Sequence, residues 1–206
     1  MAKLLPIPAW AAPSLQGLAY WLGSQHAMRL AANLSEGAIA WELSRLIFTH
    51  RTDEQFLEAE VQYRHIPELN AKKQLAHSRE RADLVVSNAP RSDQGVSYRR
   101  GQVDAIIEIK HNRSRKQLVW ADIDYLGEQR TSSKGIRAFL IYTSVNMKPD
   151  IFTDEIGAAK KSKNLQTPTH LQTSYRVRRV CRATHLIPGR NKTAIGHYAV
   201  LIEVSP

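Results

Sequence analysis

Two acids and a lysine are the residues of this chain most suited to chemistry. Glu108-Ile109-Lys110 closes the apolar run Val103-Asp104-Ala105-Ile106-Ile107. On a β-strand, residues two apart project from the same face. Val103, Ala105, Ile107 and Ile109 then face one way, and Asp104, Ile106, Glu108 and Lys110 the other. Charges at the end of such a strand are costly unless paired, solvated or bound to a metal. A second run, Ala82-Asp83-Leu84-Val85-Val86, carries another acid at a similar edge. An Asp and a Glu-x-Lys on neighbouring strands suit divalent-metal phosphodiester chemistry. The carboxylates are hard-oxygen donors for a cation, and the ammonium stabilises charge developing on a phosphate. The competing reading is a structural ion pair between strand ends.

The surrounding pattern supplies the elements that must position these groups. Residues 1–12 are rich in Pro and Ala and are expected to be extended. Leu15, Leu18, Ala19 and Leu22 repeat at helical spacing, with Pro13 at a first-turn position, and predict a helix over 13–32. Asn33-Leu34-Ser35-Glu36 resembles a capping box that opens a second helix ending near His50-Arg51, with Ile39, Leu43, Leu46 and Ile47 on one stripe. Three strands are expected at 55–66, 81–88 and 102–111. In the first, Leu57, Ala59, Val61 and Tyr63 share a face by alternation. Residues 96–100 are expected to extend a hairpin arm carrying Arg99 and Arg100. A helix over 116–130 follows, with Val119, Ile123 and Leu126 on its buried stripe, then an apolar strand over 136–145. Continuous apolar runs suit strands covered on both faces. Residues 146–174 are polar and carry no clear pattern, and the chain closes on strands at 175–185 and 197–204.

The chain has 206 residues, 43% of them hydrophobic, enough for a single domain with a full core. Its 29 Lys and Arg against 19 Asp and Glu give a net charge of +10. Such a balance points to a polyanionic partner, most often nucleic acid. A membrane surface is the weaker reading, because no basic amphipathic helix supports it. No segment reaches the ~18 consecutive apolar residues of a membrane span. The prolines Pro6 and Pro8 interrupt the short apolar stretch near the N-terminus. It is therefore not read as a signal peptide, and a cytoplasmic location is expected. The lone Cys181 excludes an internal disulfide and a cysteine zinc site, and suits the core. The histidines are scattered, and no P-loop motif is present. Trp120 is expected to pack rather than to stack on bases.

Ala82-Asp83 followed by Glu108-Ile109-Lys110, within the order α-β-β-β-α-β over residues 35–145, resembles the PD-(D/E)XK nuclease superfamily. Ala82 stands where the family name has Pro. The resemblance implies an α/β fold: a restriction-endonuclease-like αβββαβ core with a mixed central sheet flanked by helices. The N-terminal helix and the C-terminal β-hairpin (175–204) are additions to it. It implies Mg²⁺ as cofactor, with Mn²⁺ as a substitute. Asp83 and Glu108 would hold the metal, with the carbonyl of Ile109 as a third ligand, and a bound water would be the nucleophile. Lys110 would orient that water and stabilise the transition state. Many members add a glutamate from the preceding helix. Glu36 is the candidate, with Glu42 as its rival; the bland alternative for Glu36 is a favourable charge in a helix first turn.

The activity implied is that of a Mg²⁺-dependent DNA endonuclease, in phage defence, a mobile element, or DNA repair and recombination. Its specificity would come from loops and a homodimer, or from a partner protein. The alternative is a non-catalytic basic DNA- or RNA-binding subunit that keeps the fold. Arg113, Arg115 and Lys116 follow the acidic set directly and are candidates for phosphate contacts. Arg176, Arg178 and Arg182 share one strand face by alternation and suit a phosphate track, or an edge protected from aggregation.

Overall fold

The structure, a computed structural model, describes residues 5–28, 34–67, 69, 81–90, 97–112, 114–130, 135–160, 165–168, 173–186 and 194–205. The chain is an α/β protein; its described residues form a mixed seven-stranded sheet flanked by three helices. In chain order the elements are α1 (Ala11–Ala27), α2 (Glu36–His50), β1 (Phe56–Gln62), a 3₁₀ turn (Tyr63–His65), β2 (Arg81–Ser87), β3 (Val103–His111), α3 (Lys116–Arg130), β4 (Arg137–Val145), β5 (Leu165–Gln166), β6 (Ser174–Leu186) and β7 (Ala194–Ser205).

The strands lie in the order β1-β2-β3-β4-β7-β6-β5. Among the described strands only β3 and β4 pair in parallel, and α3 lies on the connection between them. A parallel pair needs such a crossover. β4 is buried along almost its whole length, as its continuous apolar sequence predicts. One face of the sheet packs Leu84, Ile107, Ile109, Phe139 and Leu201 against Leu15, Leu22, Ile39 and Leu43 of α1 and α2. The other packs Val85, Ile106, Leu140, Val200 and Ile202 against Val119, Ile123 and Leu126 of α3. Each such side chain contributes about 1.5–3 kcal/mol when fully buried. The helices also approach closely. A Cβ on Gly17 would meet Leu46 of α2 at 2.8 Å, and one on Gly127 of α3 would meet Thr173 at 2.5 Å.

Several expectations are revised. α1 starts earlier than Pro13, because Trp10 and Ala11 are themselves buried in the core; residues 29–33 lie outside the described residues. Ser35 rather than Asn33 caps α2, its hydroxyl accepting from the Ala38 amide at 3.1 Å. The Arg99–Gln102 segment is a tight turn into β3, closed by the Gln102 amide on the Arg99 carbonyl at 3.2 Å, rather than a hairpin arm. The C-terminal hairpin belongs to the central sheet itself, since β7 pairs with β4 from Ala138↔Val204 to Val145↔His197. Trp120 packs against Phe152 and Tyr175 with ring centroids 6.0 and 5.6 Å apart. Cys181 is buried, and burial holds its thiol above the usual range. No helix among the described residues is long and apolar enough to cross a membrane.

Simple alternation fails in β1, β2, β3 and β6; in β3, Val103 packs towards α3 whereas Ala105, Ile107 and Ile109 pack towards α1 and α2, across an irregularity at Val86 and Ser87 of β2. In β1, Leu57 packs towards α1 and α2, whereas Val61 and Tyr63 pack towards α3. Glu60 lies between them with φ +55°, a left-handed conformation that turns the strand over. Its partner strand turns with it: Leu84 faces α1 and α2, and Ala82, paired with Val61, faces α3. In β6 a bulge between Val177 and Arg179 inserts one extra residue opposite β7.

Candidate active site

Parallel strands joined by a crossover leave an open crevice at their carboxyl ends, where ligands bind in α/β sheets. Glu108 and Lys110 stand at that end of β3. Asp83 reaches the same place because β2 turns over there. The β2–β3 ladder ends at Leu84↔Ile107, and beyond it the Asp83 Oδ2 accepts the Ile109 amide at 2.7 Å. Asp83 and Glu108 lie on the same side of the molecule, near enough for the charge on Asp83 to raise the Glu108 carboxyl.

The electrostatics follow from burial. Asp83 is pushed up to about 6, first by desolvation and then by Glu60 and Glu36, against the Ile109 amide and Lys110. Glu108 is held well above the usual carboxylate range, by burial first and Asp83 second. One of its oxygens, Oε1, accepts the hydroxyl of Tyr63. That phenol is buried, which, with the Glu108 charge, raises it well above its usual value. Tyr125 of α3 packs edge-on to Tyr63 at 5.2 Å.

Lys110 is held between two carboxylates. Its Nζ lies 3.2 Å from Asp122 Oδ2 on α3 and 3.5 Å from Glu36 Oε2 at the start of α2. Burial alone would lower its pKa, but Asp122 and Glu36 outweigh that and raise it. Glu36 Oε1 also accepts from the Ser114 hydroxyl at 2.8 Å and the His111 amide at 3.4 Å. Glu36 therefore ties α2 to the loop after β3. Glu42 is not at this place; it lies nearly two turns further along α2, where Arg45 holds it at 2.6 Å. Asp104 lies at the other end of the strand, bonded to Gln55.

The remaining oxygens of the two central acids, Asp83 Oδ1 and Glu108 Oε2, and the Ile109 carbonyl are the atoms that would hold a divalent cation. Among the described residues, no three Asp, Glu, His or Cys side chains form a metal-holding group. Mg²⁺ keeps several waters and uses one or two carboxylates, so a pair of adjacent half-buried carboxylates fits it.

The basic candidates fare unevenly. Arg115 and Lys116 are exposed beside the acidic set; Arg113 lies outside the described residues. The row Arg176, Arg178, Arg182 does not exist on one face, because the bulge shifts the alternation within it. Arg176 is opposite Glu203 on the side of α1, and Arg182 is opposite Tyr198 on the side of α3. Arg178 is the inserted residue; it is only 6% exposed and is paired with Glu203.

Sequence reasoning missed Tyr63, Asp122 and Tyr125. Asp122 had a signal: three residues after Val119 and four before Leu126, it shares their buried helix stripe. Tyr63 had none, because its face depends on the turnover at Glu60. Compared with family models, curated proteins and solved structures, the chain matches none.

Proposed function

We propose that the chain is a Mg²⁺-dependent endonuclease that hydrolyses DNA phosphodiesters on a restriction-endonuclease-like core. The observation that carries the reading is the pair of half-buried carboxylates, Asp83 and Glu108, both with raised pKa at the open end of the parallel strands and with Lys110 beside them. Two like charges in a dry site repel, and a divalent cation offsets that repulsion. Held there, Mg²⁺ (or Mn²⁺) would supply an activated water and neutralise phosphate charge.

The chain's own residues divide the remaining work. The Ile109 amide fixes Asp83, and Tyr63 fixes Glu108, so each acid offers one defined oxygen to the cation. Glu36, at 42% exposure and bonded to Lys110, Ser114 and the His111 amide, would have to turn from these partners to join them or to orient a water. Lys110 provides a fixed positive charge for the phosphate oxygens as negative charge builds on them. Arg115, Lys116 and the basic surface supply sequence-independent contacts to the polyanion.

The test is nicking of supercoiled plasmid with Mg²⁺ or with EDTA, by wild type and by Asp83→Ala and Glu108→Ala. Metal-dependent cutting lost in both variants, with DNA affinity retained, supports the reading. Equal cutting by Asp83→Ala sinks it. DNA or RNA binding with no cutting by any protein leaves the chain a non-catalytic nucleic-acid-binding subunit.

A further inference from the structure

Asp122 has no place in the roles assigned above. It stands on the inward stripe of α3 at 29% exposure, with its carboxylate 3.2 Å from Lys110 Nζ. Lysine carries a point charge on a flexible four-carbon stem, so its ammonium lies where its partners hold it. Lys110 has one such partner from each side of the sheet, Glu36 on α2 and Asp122 on α3. The Asp122 contact is the shorter and the less exposed of the two.

We infer that Asp122 is a positioning residue, which fixes the Lys110 ammonium beside Asp83 and Glu108. This role rests on the nuclease reading above. Glu36 is also a candidate for the cation, and once it turns there Asp122 is the partner that remains. Asp122 then acts only through Lys110 and touches neither metal nor phosphate. A merely structural role, docking α3 on the sheet, would act on stability whether or not Lys110 is present.

The experiment is a double-mutant cycle of Asp122→Asn and Lys110→Ala in the full chain. It reads kcat and KM for plasmid cleavage, thermal melting, and the ζ-¹⁵N resonance of Lys110 in metal-free protein. Asp122→Asn is expected to lower kcat by roughly 10²-fold, as a displaced catalytic group does, with KM nearly unchanged. The double variant should be no slower than Lys110→Ala alone, since effects through one residue do not add. The ordered ammonium resonance should be present in wild type and lost in Asp122→Asn. Asp122→Glu, which keeps the charge one methylene further out, should recover part of kcat. A double variant as slow as the product of the two single effects overturns the role. So does an ammonium resonance that persists in Asp122→Asn, or no recovery in a folded Asp122→Glu. A wild type that cuts nothing overturns the nuclease reading itself, whereas Asp83-dependent cutting with an additive cycle overturns only this role.

Discussion

Two charged clusters lie at opposite ends of the sheet and are built in opposite ways. At the start of β4, Glu203 of β7 is clasped by Arg137 at 2.8 Å and by Arg178. Both arginines also donate to backbone carbonyls, Arg137 to Pro6 at 2.8 Å and Arg178 to Leu5 at 2.5 Å. Arg137 lies over the Phe139 ring, 4.9 Å from its centroid. Every charge there has a partner of opposite sign or a dipole, and the cluster fastens the N-terminal segment to the sheet. At the other end, Asp83, Glu108, Glu36 and Asp122 surround a single Lys110. A clasp gives each charge an opposite charge or a dipole, because an uncompensated buried charge is strongly destabilising. An excess of carboxylate over ammonium is what the proposed cation site requires, and perturbed carboxyls cluster at functional sites.

The comparison is broken most directly at the clasped end. Glu203→Ala leaves Arg137 and Arg178 without their carboxylate and should cost about 3–5 kcal/mol in urea denaturation. Metal-dependent cutting measured well below the melting temperature should be unchanged. A loss under about 1 kcal/mol would mean that the clasp is incidental.

At the unbalanced end the order reverses, with function lost and stability kept. Lys110→Ala should slow cleavage by roughly 10²–10³, the effect of losing one transition-state donor. Its unfolding midpoint at saturating Mg²⁺ should move little, because the cation offsets the carboxylates. Single-turnover kinetics at saturating Mg²⁺ check the rate, and an undiminished rate removes Lys110 from the chemistry.

A third prediction uses pH. In the folded chain Asp83 holds its proton up to about 6, against an ordinary 3.8. The folded state therefore binds more protons than the unfolded state between those values. Its stabilising contribution is complete below about pH 4 and is lost as pH rises through 6, by about 3 kcal/mol. Asp83→Asn should then be the more stable protein at pH 7.5 in EDTA, by up to that amount, and nearly equal to wild type at pH 4. Mg²⁺ should stabilise wild type chiefly above pH 6. Thermal melts across this range decide, and a wild type equally stable at both pH values without metal refutes the charge excess.

The smallest effect concerns DNA affinity. Replacing exposed Arg115 and Lys116 with Ala should flatten the slope of log affinity against log salt by up to about 1.8, at about 0.9 per phosphate contact. Arg178→Ala should leave that slope alone, because its guanidinium belongs to Glu203. A change on Arg178→Ala as large as on the Arg115 and Lys116 pair would merge the two clusters into one binding surface.

Much of this was legible in the sequence. The helix over 116–130 matches α3 residue for residue, and β2, β3 and β4 fall within a residue or two of their expected ends. Burial on one helical stripe or in a continuous strand writes itself directly into residue order. The placement of Asp83, Glu108 and Lys110 was legible for the same reason, since strand ends were marked and Glu-x-Lys shares a face. Glu36 was named as the acid that the preceding helix would bring near, and the structure sets it beside Lys110; its other partners, Ser114 and the His111 amide, were not legible. Only the fold shows that Glu42 is held by Arg45 on its own helix.

What residue order alone determined was therefore local: which segments are helix or strand, where they stop, and which acids stand at their ends. The tertiary structure decided the rest. Period-two counting assumes that no residue is inserted and no backbone is turned. The left-handed Glu60 turns β1 and carries Tyr63 to Glu108. The bulge at Arg178 divides an apparent arginine row between two faces and a buried ion pair. Both are backbone choices, fixed by packing on two sides of a sheet at once. Asp122 meets Lys110 only because the crossover lays α3 over β3, a contact between elements that residue order leaves open.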